Sequence, residues 1–224
     1  MTQIAIAITV ILLSSVLGWV LYQFLHKHLH RRRLSQASQG LATCQQIFEL
    51  CETIPSAQLP RDLRRGLVLI ANRHLSAVES LQPQHPMLAH LRPKLAKLNK
   101  IPRHHLETKP RNKVDRRHAS SRLVELAGIV EIALNRGHID DKDGNLARAS
   151  AQVTARQVEI ENARQASRDA ENMQAYPQAL RFAYHAQMLC NKLPPLIRQT
   201  LTSAVEADIE RLKAYANSPS QQAS

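Results

Sequence analysis

Twenty-three consecutive residues near the start, Gln3–Leu25, carry no Asp, Glu, Lys, Arg or His. As a helix rising ~1.5 Å per residue, that run is roughly 34 Å long, enough for a ~30 Å hydrocarbon layer. Trp19 and Tyr22 stand toward its C-terminal end, where amphipathic rings favour a membrane interface. A cleaved signal peptide wants a basic leading segment and a shorter apolar core, whereas Met1-Thr2-Gln3 has no charged side chain. The pattern predicts an uncleaved single-pass transmembrane anchor. Lys27, Arg31, Arg32 and Arg33 follow the run and no Lys or Arg precedes it. The positive-inside bias then sets the N-terminus outside and the C-terminal domain in the cytoplasm, as in a bacterial inner-membrane protein. The same four cations are expected to lie against anionic lipid headgroups. His26 and His30 share a helix face, but without an acidic or Cys neighbour they suggest no metal site.

Beyond the run, apolar positions recur at spacings of three and four, the signature of amphipathic helices. Leu34, Ala37, Leu41, Cys44, Phe48 and Cys51, widened by Ile47 and Ile54, form a near-heptad, coiled-coil-like stripe. Pro55 and Pro60 bracket a turn. A second helix is expected from Arg61 to Gln82, with Leu63, Leu67, Ile70, Ala71, His74, Val78 and Leu81 on one face; His74 reads as a histidine at the core edge. Leu88, Leu91, Leu95 and Leu98 predict a third, Met87–Ile101, that Pro93 either starts or kinks. Residues 102–113 lack periodicity and hold two prolines, so a linker is expected there.

A C-terminal helical bundle is expected over residues 114–216. Its first helix, Val114–Arg136, is apolar almost all round in the middle and reads as central, with Gly137 ending it. The acidic turn Asp140–Asn145 fails as a calcium loop. With Gly144 at the sixth position, Ile139 and Ser150 stand where acids are needed. Asn145 can cap a long Ala-rich helix to Gln174, with Leu146, Ala149, Val153, Ile160, Ala163 and Ala170 as its stripe. Two more helices follow, one from Tyr176-Pro177 and one after Pro194-Pro195 with Ile197, Leu201, Val205, Ile209 and Leu212 aligned. Residues 217–224 read as a disordered tail. In the first of these two helices, Tyr176, Ala179 and Ala186 have the spacing of an aromatic followed by Ala three and ten residues later. It resembles the second helix of a tetratricopeptide repeat. The resemblance covers one helix of one unit and no 34-residue period recurs, so it implies helical hairpins and no more.

Composition agrees with an all-α chain: 4% aromatic residues, 6 glycines in 224 residues, and Ala, Leu, Gln and Arg in abundance. Three cysteines, Cys44, Cys51 and Cys190, have neither disulfide nor zinc spacing and read as small core residues. The formal net charge of +12 is local. It is accounted for by the four cations after the anchor and by residues 92–117, where ten more, Arg92, Lys94, Lys97, Lys100, Arg103, Lys109, Arg111, Lys113, Arg116 and Arg117, stand against Glu107 and Asp115. No phosphate loop, metal-binding His pair, CxxC or nucleophile elbow occurs, and no cofactor or catalytic residue is indicated. The expected function is a membrane-anchored helical scaffold without catalytic activity, docking an unidentified protein partner or a second copy. The alternative is a membrane-tethered nucleic-acid binder using residues 92–117. That basic run holds no aromatic residue for base stacking, which counts against the alternative.

Overall fold

The computed structural model describes the backbone of residues 2–54, 58–100 and 113–216, and side chains from residue 17 onward within those ranges except 113–117. Among the described residues the chain is all-helical. Helix α1 (Thr2–Thr53) is followed by α2 (Arg61–Leu81), α3 (Pro86–Lys100), α4 (Lys113–Asn135), α5 (Asp141–Asn172), α6 (Tyr176–Cys190) and α7 (Pro195–Ala216).

The anchor expectation is overturned. No helix among the described residues is long and apolar enough to cross a membrane. Of the run that suggested one, the part up to residue 16 lies outside the described side chains. The part that is described, Leu17–Leu25, is nine residues, or roughly 14 Å of helix against the ~30 Å required. It passes without a break into polar His26–Arg33 and then into core-packed helix. The single-pass topology, with its cytoplasmic C-terminal domain, therefore does not stand. Leu17, Trp19, Val20, Leu21, Tyr22, Phe24 and Leu25 are exposed on the N-terminal half of α1.

Farther along α1 the three-and-four stripe is buried: Leu41, Cys44, Ile47, Phe48 and Ile54 meet Leu63, Leu67, Ile70, Leu75 and Val78 of α2 in one hydrophobic cluster. All four leucines of the α3 stripe join them, Pro93 being carried inside the helix. The same cluster takes in Leu123, Leu126, Ile129 and Val130 of α4 and Ala147, Ala151 and Ala155 of α5. Buried residues on both sides of 102–113 thus share one core; the linker expected over those residues lies outside the described ones, apart from Lys113, which begins α4.

A second cluster forms around the other half of α5. Ile160, Ala163 and Ala170 pack with Ala179, Ala183, Ala186 and Leu189 of α6 and Val205, Ile209 and Leu212 of α7. Ser167, buried among them, donates its hydroxyl to the Ala179 carbonyl at 2.9 Å. Arg164 meets Asp208 at 2.9 Å with both side chains mostly buried, and Arg211 bridges Asp208 and Glu171. These pairs tie α7 back to α5. At 32 residues α5 is long enough to serve both clusters, and Ala along its seams lets neighbours approach closely.

Helix ends follow local chemistry. Asp140, not Asn145, caps α5, its carboxylate accepting from the Asp143 amide at 2.7 Å. Gly137, at φ 64°, closes α4: its amide reaches the Leu134 carbonyl and that of His138 the Ala133 carbonyl. Gln174 does the same after α5 at φ 59°, with Ala175 bonded back to Ala170. A side chain in that left-handed conformation costs about 1 kcal/mol. Gln174→Gly should therefore raise stability by about 0.5–1 kcal/mol, read as a higher urea midpoint with an unchanged m-value. A lowered midpoint would show that Gln174 makes a compensating interaction.

Candidate functional site

Two concave surfaces stand out. The first lies between α1, α2 and the α4–α5 turn. It is a groove of about 640 Å³ lined by Arg33, Arg73, His74, Arg136 and His138, with Gln36, Gln39 and Thr43 among its neutral polar groups. A smaller recess of about 80 Å³ adjoins it and shares Thr43, His74, Arg136 and His138.

Each charged side chain is delivered by a different piece of local structure. His74 projects from α2 toward α1 at Gly40, where a Cβ would come within 2.8 Å of the imidazole Nδ1. Only glycine leaves the ring its place. His138 follows the glycine that closes α4, so the Gly137 turn aims it back at α2. The two imidazoles meet edge to face, centroids 4.8 Å apart. Arg73 donates from Nη1 to the Gly137 carbonyl at 2.6 Å, fixing the guanidinium over the same turn. Arg33 and Arg136 have no carboxylate partner among the described residues.

This crowding of positive charge acts on the histidines. Burial first, then His138, Arg73 and Arg136, hold the His74 pKa down to about 4. Burial, Arg73 and Arg136 likewise lower that of His138. Both rings are neutral at pH 7.

Helices α4, α5 and α6 line a second, open groove of about 780 Å³. Val124, Ala163, Ala166, Phe182 and Leu189 form its apolar wall, and Ser120, Glu125 and Asn162 are among its polar positions. Glu159 belongs to it too but is engaged, accepting from Ser120 at 2.8 Å and from Arg156 at 2.6 Å. Val124 remains 54% exposed at mid-helix, which leaves the apolar wall open to a visitor.

The cations singled out in the sequence are distributed differently. Lys27, Arg31 and Arg32 are exposed along α1, while Arg33 reaches the first groove. Arg92 is bound to Glu79, Asn72 and Ser76, and Lys94 to Glu52 at 2.9 Å, so both brace α3 against its neighbours. Lys97 and Lys100 are exposed on α3. Arg103, Lys109 and Arg111 lie outside the described residues, as do the side chains of Lys113, Arg116 and Arg117. The described members of this stretch thus include structural braces as well as free cations.

Arg73, Arg136 and His138 escaped the sequence reading, and His74 was placed only at the core edge. They are separated by up to 65 positions, and nothing in local periodicity brings them together. Gly137 was the one usable signal, because a helix-closing glycine redirects the residue after it. Cys44 and Cys190 are fully buried, and burial pushes the Cys44 and Cys51 thiols up to about 12, so neither is a nucleophile at pH 7. Among the described residues no three His, Cys, Asp or Glu side chains gather as a metal site would need. No protein-family model, curated protein or solved structure matches the chain.

The depressed His74 predicts a pH effect with a definite sign. The unfolded chain takes up this proton near pH 6.5, while the folded chain holds it off until about pH 4. Stability therefore falls as the pH drops through that window, by on the order of 2 kcal/mol given a part-exposed ring. Urea midpoints measured at intervals from pH 7.5 to 4 should fall more steeply for the wild type than for His74→Gln. Parallel slopes would contradict the placement of His74.

Proposed function

We propose that the chain is a helical scaffold rather than an enzyme, and that it receives a peptide segment of a partner protein in the groove between α4, α5 and α6. The observation that carries this reading is the combination of an open apolar wall, Val124 and Phe182 foremost, with the carboxylate of Glu125, which has no basic partner among the described residues. An apolar side chain entering beside Val124 gains about 25 cal/mol for each Å² removed from water. A Lys or Arg beside it on the peptide would answer Glu125. The occupant is therefore a segment with a large apolar residue next to a basic one. The repeat-like spacing of Tyr176, Ala179 and Ala186 supports the same view. Ala179 and Ala186 are fully buried, and Tyr176 stacks on Tyr215, so α6 is held rigidly as one wall of the groove. The nucleic-acid alternative is weakened because Arg92 and Lys94 are already committed within the fold.

Selection from a random peptide library displayed on phage tests this directly. Enriched sequences should pair a large apolar residue with Lys or Arg, and Val124→Glu should weaken them about tenfold or more at unchanged thermal stability. Enriched peptides that bind Val124→Glu as well as the wild type, or no enrichment at all, would refute the reading.

A further inference from the structure

Elsewhere on this molecule basic side chains are often met by acids, although others stand free in solvent. Arg65 pairs with Asp143, Arg92 with Glu79, Lys94 with Glu52, Arg148 with Glu131, and Arg164 with Asp208. The groove between α1, α2 and the α4–α5 turn departs from that habit. Three arginines, from α1, α2 and the turn that follows α4, line it, and neither Asp nor Glu does. Guanidinium groups sharing one concave wall repel one another, and folding alone would be better served by an acid in their midst.

The surrounding groups indicate what kind of anion would relieve this. A guanidinium offers paired N–H donors in a planar fork that matches the oxygens of a phosphate. Arg73 is already held by the Gly137 carbonyl, so little conformational entropy is lost when its remaining donors engage. His74 and His138 add imidazoles where the groove meets the smaller recess, while the Thr43 hydroxyl is engaged, donating to the Gln39 carbonyl at 3.0 Å. A volume of about 640 Å³ is that of a small-molecule site and far exceeds a bare ion. We propose that this groove binds a small phosphorylated molecule, its phosphomonoester held by Arg73, Arg136 and the His74–His138 pair, with Arg33 along the open side.

The charged and titratable groups acting on His74 are Arg73 on its own helix and Arg136 and His138 on the turn after α4, with Arg33 of α1 lining the same groove; no lining residue is acidic. A dianion arriving among them favours protonation of both imidazoles. Affinity should accordingly rise as the pH falls from about 8 to 7, a range above the phosphate's own second pKa near 6.

Glycerol 3-phosphate is a suitable probe, titrated against the full chain by calorimetry, beside vesicles of phosphatidylcholine with and without phosphatidic acid, which carries the same phosphomonoester. Saturable one-to-one binding of the free compound is expected, tighter at pH 7 than at pH 8. Arg136→Gln and Arg73→Gln should each weaken it roughly tenfold. Arg33→Gln, an exposed position on α1 whose loss does not endanger folding, should weaken it measurably. Arg181→Gln, exposed on α6, should leave it unchanged. Absence of saturable binding up to about 10 mM would overturn the proposal. So would binding that none of the three groove variants diminishes, or binding confined to the phosphatidic-acid vesicles, which would assign the groove to a lipid surface instead.

Discussion

Helices α2 and α5 touch with almost nothing between them, and the rest of the molecule is arranged by that contact. A Cβ on Gly66 would lie only 2.6 Å from the Cβ of Ala147. One turn away, Gly144 gives the same room to Leu134, which returns from the end of α4. Small residues on both sides let the backbones close up, and the apolar side chains around the contact, Ile139 among them, then bury against each other. This contact brings the α4–α5 turn down onto α2. Arg65 can then reach Asp143, Arg73 the Gly137 carbonyl, and His74 the ring of His138. The cationic groove is a consequence of the close approach: were the helices an ångström or two farther apart, its two walls would not meet.

Along α5 the two ends do different work. Its N-terminal half presents Ala147, Ala151 and Ala155 to the core shared by the first five helices. The C-terminal half presents Ile160, Ala163 and Ala170 to α6 and α7, where Ser167 and the Arg164–Asp208 pair add polar ties. Such seams bury little area per residue, so their contribution comes from length and close fit. The C-terminal half lines the apolar, acid-edged groove beside α6, while the basic groove lies by the turn that precedes α5.

Much of this architecture is legible in the sequence, and the failures have physical causes. The α3 stripe of four leucines is buried as its spacing predicts, as is most of the α1 and α2 pattern. In α5 the expected stripe began at Leu146 and Ala149, which are exposed, while Gly144, Ala147 and Ala151 are the buried positions. Over these first turns, reading by side-chain size chose the wrong face because the close approach to α2 selects for smallness; farther on, Ile160, Ala163 and Ala170 are buried as expected. Asn145 looked like the cap because it precedes that supposed stripe; the helix begins a turn earlier, at Asp140. The membrane anchor was read from a run of apolar letters, yet the described part of that run is too short to span and belongs to a helix whose far end is core. The groove could not be read at all, since its charged groups converge only through tertiary packing.

If the α2–α5 contact governs the fold, Gly66 and Ala147 must be energetically coupled. A double-mutant cycle in urea denaturation measures that coupling. Gly66→Ala alone sets an overpacking cost of about 1–3 kcal/mol against a helix-propensity gain near 1 kcal/mol, so the variant should be neutral to destabilised. In an Ala147→Gly background the clash is gone, and the same substitution should stabilise. The predicted coupling is about 1–3 kcal/mol; effects that simply add, within about 0.5 kcal/mol, would contradict the contact on which this account is built.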